Sequence, residues 1–89
     1  MRHKKFLIND QVILKTFLGT LSPQKKINTK EDYWKLIGEK GKVITENEIS
    51  DDNVLVLFKK DLDDFNLINH NPIRNSLFIK KSDLELDYL

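Results

Sequence analysis

His3 and His70 are the only imidazole bases in this chain of 89 residues, and there is no cysteine. A serine nucleophile would therefore need His70 beside Ser22, Ser50, Ser76 or Ser82, with a carboxylate to orient the ring. Ser76 follows His70 by six residues and Asp83 comes seven later, so the spacing permits the contact. None of these serines sits in the strained strand-to-helix elbow that exposes a nucleophile. The simpler assignment makes Ser76 a turn residue opening a strand, and Ser82 and Asp83 parts of a turn or cap. No catalytic residue is expected, and the protein reads as a non-enzyme. The absence of thiols excludes thiolate catalysis, cysteine-based zinc sites and a disulfide-stapled scaffold.

Acidic side chains cluster at Asp51-Asp52 and at Asp61-Leu62-Asp63-Asp64. A calcium loop needs alternating oxygen ligands, a glycine at its sharp turn and a closing bidentate glutamate. The second cluster runs on as Phe65-Asn66-Leu67-Ile68-Asn69-His70 and supplies neither glycine nor glutamate. His70 with one of these carboxylates offers too few ligands for a metal centre. Gly19, Gly38 and Gly41 have neither Walker nor dinucleotide-binding spacing. No metal and no cofactor are expected, and the acidic clusters read as solvated loop surface.

Binding is better represented than catalysis. Within Asn66–Ser76, the side chains of Asn69, His70, Asn71, Arg74 and Asn75 offer donors and acceptors around the rigid Pro72. Their structural role would be to hydrogen-bond the backbone of a long loop. Their functional role would be a polar rim, with Arg74, the only arginine beyond the N-terminus, as a bidentate anion contact. Lysine pairs stand at Lys4-Lys5, Lys25-Lys26 and Lys80-Lys81, with Lys40 and Lys42 nearby in sequence to a glycine turn. The net charge is only +1, which disfavours a globally basic nucleic-acid binder. Its distribution is uneven, however. Residues 1–45 carry ten Lys and Arg against four acids, and residues 46–89 carry five against ten. The candidate binding residues are therefore His70, Asn71, Arg74 and Asn75, the cations Lys25 and Lys26, and the acids Asp61, Asp63 and Asp64.

Such side chains need elements to hold them. The composition is 39% hydrophobic and 33% charged, as in an ordinary globular domain. Alanine, the strongest helix former, is missing while Ile, Leu, Val and Phe abound, which favours strands; an AT-rich coding bias accounts for it equally well. Apolar runs bounded by turn residues predict strands at Gln11–Phe17, Lys42–Thr45, Val54–Lys59, Leu77–Lys80 and Leu84–Tyr88. Both faces of Val54–Phe58 are apolar, so that strand should be central. Thr29 should cap a short helix bearing Tyr33, Trp34, Leu36 and Ile37, ended by a left-handed Gly38. Trp34 reads as a packing residue rather than a stacking platform. Lys81-Ser82-Asp83 should make a one-turn crossover to a last strand that returns to the first. The expected fold is mainly all-β: a small five-stranded SH3-like barrel with one helical turn in its long first loop. An OB-like barrel is the competing architecture. The whole chain, 1–89, forms this single domain, with residues 1–9 as a flexible N-terminal segment.

The runs Tyr33-Trp34-Lys35-Leu36-Ile37-Gly38, Gly41-Lys42-Val43-Ile44, His70-Asn71-Pro72, Asn75-Ser76-Leu77-Phe78-Ile79 and Ser82-Asp83-Leu84-Glu85 resemble a group of small uncharacterised bacterial proteins with an SH3-like barrel. The resemblance spans about residues 10–87 and implies that fold but no activity and no catalytic residues. Tryptophan often stands in that group where this chain has Phe78, which the resemblance therefore implies is a core aromatic. Occurrence of such proteins near bacterial toxin genes would add an immunity role. No apolar run approaches the ~18–20 residues of a membrane span, and Met1–Asp10 lacks the apolar stretch of a signal peptide. The expectation is a cytoplasmic, non-enzymatic protein-interaction module, of inhibitor or immunity type, whose partner is another protein. The alternative is a nucleic-acid-binding small β-barrel with Lys25, Lys26, Lys40, Lys42 and Arg74 on phosphates.

Overall fold

Side chains alternate between the two faces of a strand, and in this protein that parity separates core from surface. A computed structural model describes residues 6–46, 53–69 and 71–87. It contains β1 (Gln11–Leu14), β2 (Lys40–Glu46), β3 (Asn53–Phe58), β4 (Ser76–Lys80) and β5 (Leu84–Leu86). All five are antiparallel neighbours in one sheet of order β4-β3-β2-β1-β5, so β4 and β5 form its edges. The fold is mainly β, and the only helical pieces among the described residues are four short 3-10 turns.

On the inner face Val12, Leu14, Val43, Val54, Val56, Phe58, Ile79 and Leu84 are buried in one cluster. Burying a side chain of this kind contributes about 1.5–3 kcal/mol. β3 lies between β2 and β4, as its doubly apolar pattern predicts. The outer face carries Gln11, Lys42 and Leu57 in one cross-strand row, with Ile13 opposite Lys40 in the next. Phe78 also lies on this face, opposite Leu55, and is 47% exposed. It is not a core aromatic, because Leu77 and Ile79 on either side of it turn inward. A Cβ on Gly41 would stand 2.7 Å from the Leu57 carbonyl oxygen and 2.8 Å from Val56 Cγ1, so glycine alone lets the two strands approach here. From Phe6 onward the N-terminal segment belongs to the fold rather than to a loose tail. Phe6 is buried in the core, and the Asn9 N–H donates to the Val43 carbonyl at 2.6 Å.

The first loop departs from expectation in its detail. Asn28, not Thr29, caps the helical segment, its side-chain oxygen accepting the Lys30 N–H at 2.9 Å. The segment is not one α-turn pair but two 3-10 turns, Thr29–Glu31 and Tyr33–Leu36, interrupted at Asp32. A 3-10 turn repeats every three residues, which aligns buried Tyr33 with buried Leu36. Half-buried Trp34 is set edge-on against Phe17, with ring centroids 4.9 Å apart, and its indole N–H donates to Thr20 Oγ1 at 3.0 Å. Trp34 is thus a packing residue, and Gly38 has the expected positive φ of 92°.

β1 stops at Leu14, three residues short of the predicted Phe17. Phe17 and Thr20 exchange backbone hydrogen bonds of 2.9 and 3.1 Å around a two-residue turn. Both central residues have positive φ, 51° at Leu18 and 80° at Gly19, as a type I′ turn requires. For a leucine this left-handed conformation costs roughly 1–2 kcal/mol. The turn is held by Asp83, which is 1% exposed and ends the expected crossover Lys81–Asp83. Its Oδ1 accepts the Thr16 hydroxyl at 2.6 Å and the Gly19 N–H at 2.9 Å, and its Oδ2 accepts the Leu18 N–H at 3.0 Å. Its carbonyl also accepts the Lys15 and Thr16 N–H groups, at 2.8 and 3.4 Å.

Asp83→Ala would leave these donors without the carboxylate, and an unsatisfied buried donor costs about 1–3 kcal/mol. Asp83→Asn keeps the Oδ1 acceptor but turns an amide N–H towards that of Leu18. Urea unfolding followed by circular dichroism should show both variants destabilised, alanine by at least about 2–3 kcal/mol and more than asparagine. Wild-type stability of the alanine variant would remove Asp83 as the anchor of this turn.

Candidate functional site

Two surface regions bring polar residues together. The first is the segment after β3, where the sequence placed most of its candidates. Its long excursion has few ladder bonds and so takes hydrogen bonds from its own side chains. Asn75, left-handed at φ 65°, accepts the buried Leu62 N–H on Oδ1 at 2.9 Å and donates from Nδ2 to Asp61 Oδ1 at 2.6 Å. The Asn71 amide donates to the Ser76 carbonyl at 2.7 Å, and the buried Ser76 hydroxyl donates to Ile73 at 2.6 Å. Ser76 is therefore the turn residue that opens β4. Arg74 meets Asp63 at 3.1 Å with both side chains exposed, an ion pair worth at most about 1 kcal/mol. Asp64 is exposed on the same 3-10 turn. His70 lies outside the described residues, as do His3, Lys4, Lys5, Asp51, Asp52 and Tyr88. Asp61, Asp63, Asn71, Arg74 and Asn75 are thus brought together, and their polar atoms largely satisfy one another.

Lys25 and Lys26 sit apart, exposed in the first loop. The two loops are tied by Tyr33, whose hydroxyl donates to the Ile68 carbonyl at 2.6 Å, and by the Ile68 N–H on the Lys30 carbonyl at 2.8 Å. Burial raises the Tyr33 phenol above its ordinary pKa of 10.0, and the charge of Glu31 raises it further.

The second region lies on the outer face of the sheet. Gln11, Lys40, Lys42, Lys59 and Asp87 line a cleft of about 520 Å³ whose apolar side is half-buried Leu57; Phe58 also borders it, but its side chain is buried in the core. Its lysines follow from parity: in Lys40-Gly41-Lys42-Val43, glycine and valine point inward and both lysines outward. Lys59, one residue beyond β3, donates its N–H to the Lys40 carbonyl at 3.0 Å and so stands beside it. Lys40 pairs with Asp87 at 3.5 Å. Among the described residues Lys42 and Lys59 have no carboxylate within ion-pair distance. The Gln11 Oε1 is buried without a hydrogen-bond partner. Of this set the sequence singled out Lys40 and Lys42, and only for the nucleic-acid alternative. Gln11, Lys59 and Asp87 become neighbours through the pairing of β1 with β2 and with β5 and of β2 with β3, which no local pattern announces. Among the described residues no three His, Cys, Asp or Glu side chains could hold a metal ion.

Asn75→Ala should cost about 1–3 kcal/mol by orphaning the Leu62 N–H, whereas Arg74→Ala should change stability by less than about 0.5 kcal/mol. Urea denaturation of the two separates the buried bond from the exposed pair. The raised Tyr33 pKa also sets an alkaline limit. The folded state holds this proton more tightly, so its contribution is intact below about pH 10 and falls as pH rises through the folded value. Melting temperatures between about pH 8 and 11.5 should fall more steeply for the wild type than for Tyr33→Phe, with parallel curves excluding the effect.

No protein-family model matches this chain, and neither curated proteins nor solved structures yield a match.

Proposed function

We propose that the protein is a non-enzymatic interaction module that binds another protein through the outer face of its sheet. The observation that carries this reading is the cleft, where three lysines adjoin the half-buried Leu57 on the face opposite the core. The exposed acids Asp61, Asp63 and Asp64 follow Lys59-Lys60 directly in the chain, so opposite charges adjoin at the surface. Such a division steers and orients an approaching partner more than it adds affinity. The strand order β4-β3-β2-β1-β5 and the 3-10 crossover between β4 and β5 support an SH3-like barrel as the scaffold. The resemblance noted in the sequence extends the proposal to an inhibitor or immunity-type protein of the bacterial cytoplasm. No helix among the described residues is long and apolar enough to cross a membrane.

Nucleic-acid binding is the second reading, favoured by Lys40 and Lys42 sharing the cleft with Lys59. Affinity capture from bacterial lysate, with and without nuclease, compares wild type with a Lys42→Glu/Lys59→Glu variant. A stoichiometric protein that survives nuclease and is lost by the variant is the expected result. Nucleic acid that disappears on nuclease treatment would install the second reading, and the absence of any specific protein would overturn the first.

A further inference from the structure

We propose that the cleft on the outer face seats a short acidic peptide segment of the partner protein, with its carboxylates on Lys42 and Lys59. This rests on the interaction-module reading and names the chemistry recognised there. Lys40 and Lys59 are neighbours across β2 and β3, and like charges in that relation repel. Asp87 neutralises Lys40, while Lys42 and Lys59 have no carboxylate of this chain within reach among the described residues. An incoming carboxylate would complete the charge pattern.

The rest of the cleft selects among anions. Half-buried Leu57, the outward-facing apolar residue of the cleft, offers a surface for the methylene groups of Asp or Glu. Gln11 Oε1 is a buried acceptor without a donor, which a peptide N–H can satisfy once the amide turns outward and a phosphodiester cannot. A volume of about 520 Å³ matches a drug-sized ligand, the bulk of roughly two or three residues. Asp87 lines the cleft and Glu85 stands two residues before it on β5, opposite Ile13, so the β5 side of the lysines carries negative charge. An acidic flank on that side favours a short anionic segment over a polyanion that runs on across β5. Among the described residues no exposed aromatic side chain lines the cleft to stack a base.

The test is a ¹H–¹⁵N NMR titration of the full chain with hexaglutamate, with a dodecamer of uridylate and inorganic phosphate as parallel probes. Hexaglutamate should shift the amides of Gln11, Lys40, Lys42 and Lys59 saturably, and less so as salt rises. Lys42→Gln and Lys59→Gln should each weaken binding roughly five-fold, with Lys42→Arg restoring it and spectral dispersion reporting an intact fold. Absence of saturable shifts at the cleft, or unchanged binding by both glutamine variants, would overturn the proposal. Tighter binding of the uridylate at these residues, or phosphate equalling hexaglutamate, would overturn it as well. If the captured partner is nevertheless retained by Lys42→Gln/Lys59→Gln, the interaction module stands and only this seat fails.

Discussion

The buried carboxylate of Asp83 is the constraint on which the rest of this small sheet depends. It stands at the end of the turn between β4 and β5, yet its oxygens are spent on Thr16, Leu18 and Gly19, in the turn that follows β1. One side chain therefore fixes where β1 ends, holds Leu18 in a left-handed conformation, and seats the start of β5 beside β1. Charge-assisted hydrogen bonds are the strong ones, and a carboxylate removed from water is tolerated only when its oxygens are occupied. The same turn carries Phe17 and Thr20, against which Trp34 packs. Through them the first loop is placed as well.

Pairing β5 with β1 is also what assembles the outer face. Asp87 reaches Lys40 because its backbone N–H pairs with the Gln11 carbonyl. Gln11 in turn aligns with Lys42, and Lys42 with Leu57. A mixed cationic and apolar cleft results on a face that the core does not need. The segment after β3 behaves differently. Its amides and hydroxyls replace ladder bonds, so polarity that suggests recognition in one dimension is largely consumed by loop architecture in three. The charges that remain at the surface there, Asp61, Asp63, Asp64 and Arg74, border the cleft's lysines in sequence and complete a surface of divided sign.

The sequence by itself determined the five strands, their order along the chain, the turn at Lys81–Asp83 and the central place of Val54–Phe58. Period-two alternation and turn residues act over a few neighbours and are readable without the rest of the molecule. It also identified the structural work of Ser76 and Trp34, because short-range polarity and a solitary large aromatic have few other uses. Only the tertiary structure decided that Phe78 faces outward, that Asn28 rather than Thr29 caps the first loop, and that β1 stops at Leu14. The first and the last follow from partners elsewhere in the fold: the inward pull on Leu77 and Ile79, and the reach of Asp83 across most of the chain. The cleft belongs to the same class. Gln11, Lys42, Lys59 and Asp87 are scattered along the sequence, and strand register, a property of pairs of segments rather than of either one, makes them a surface.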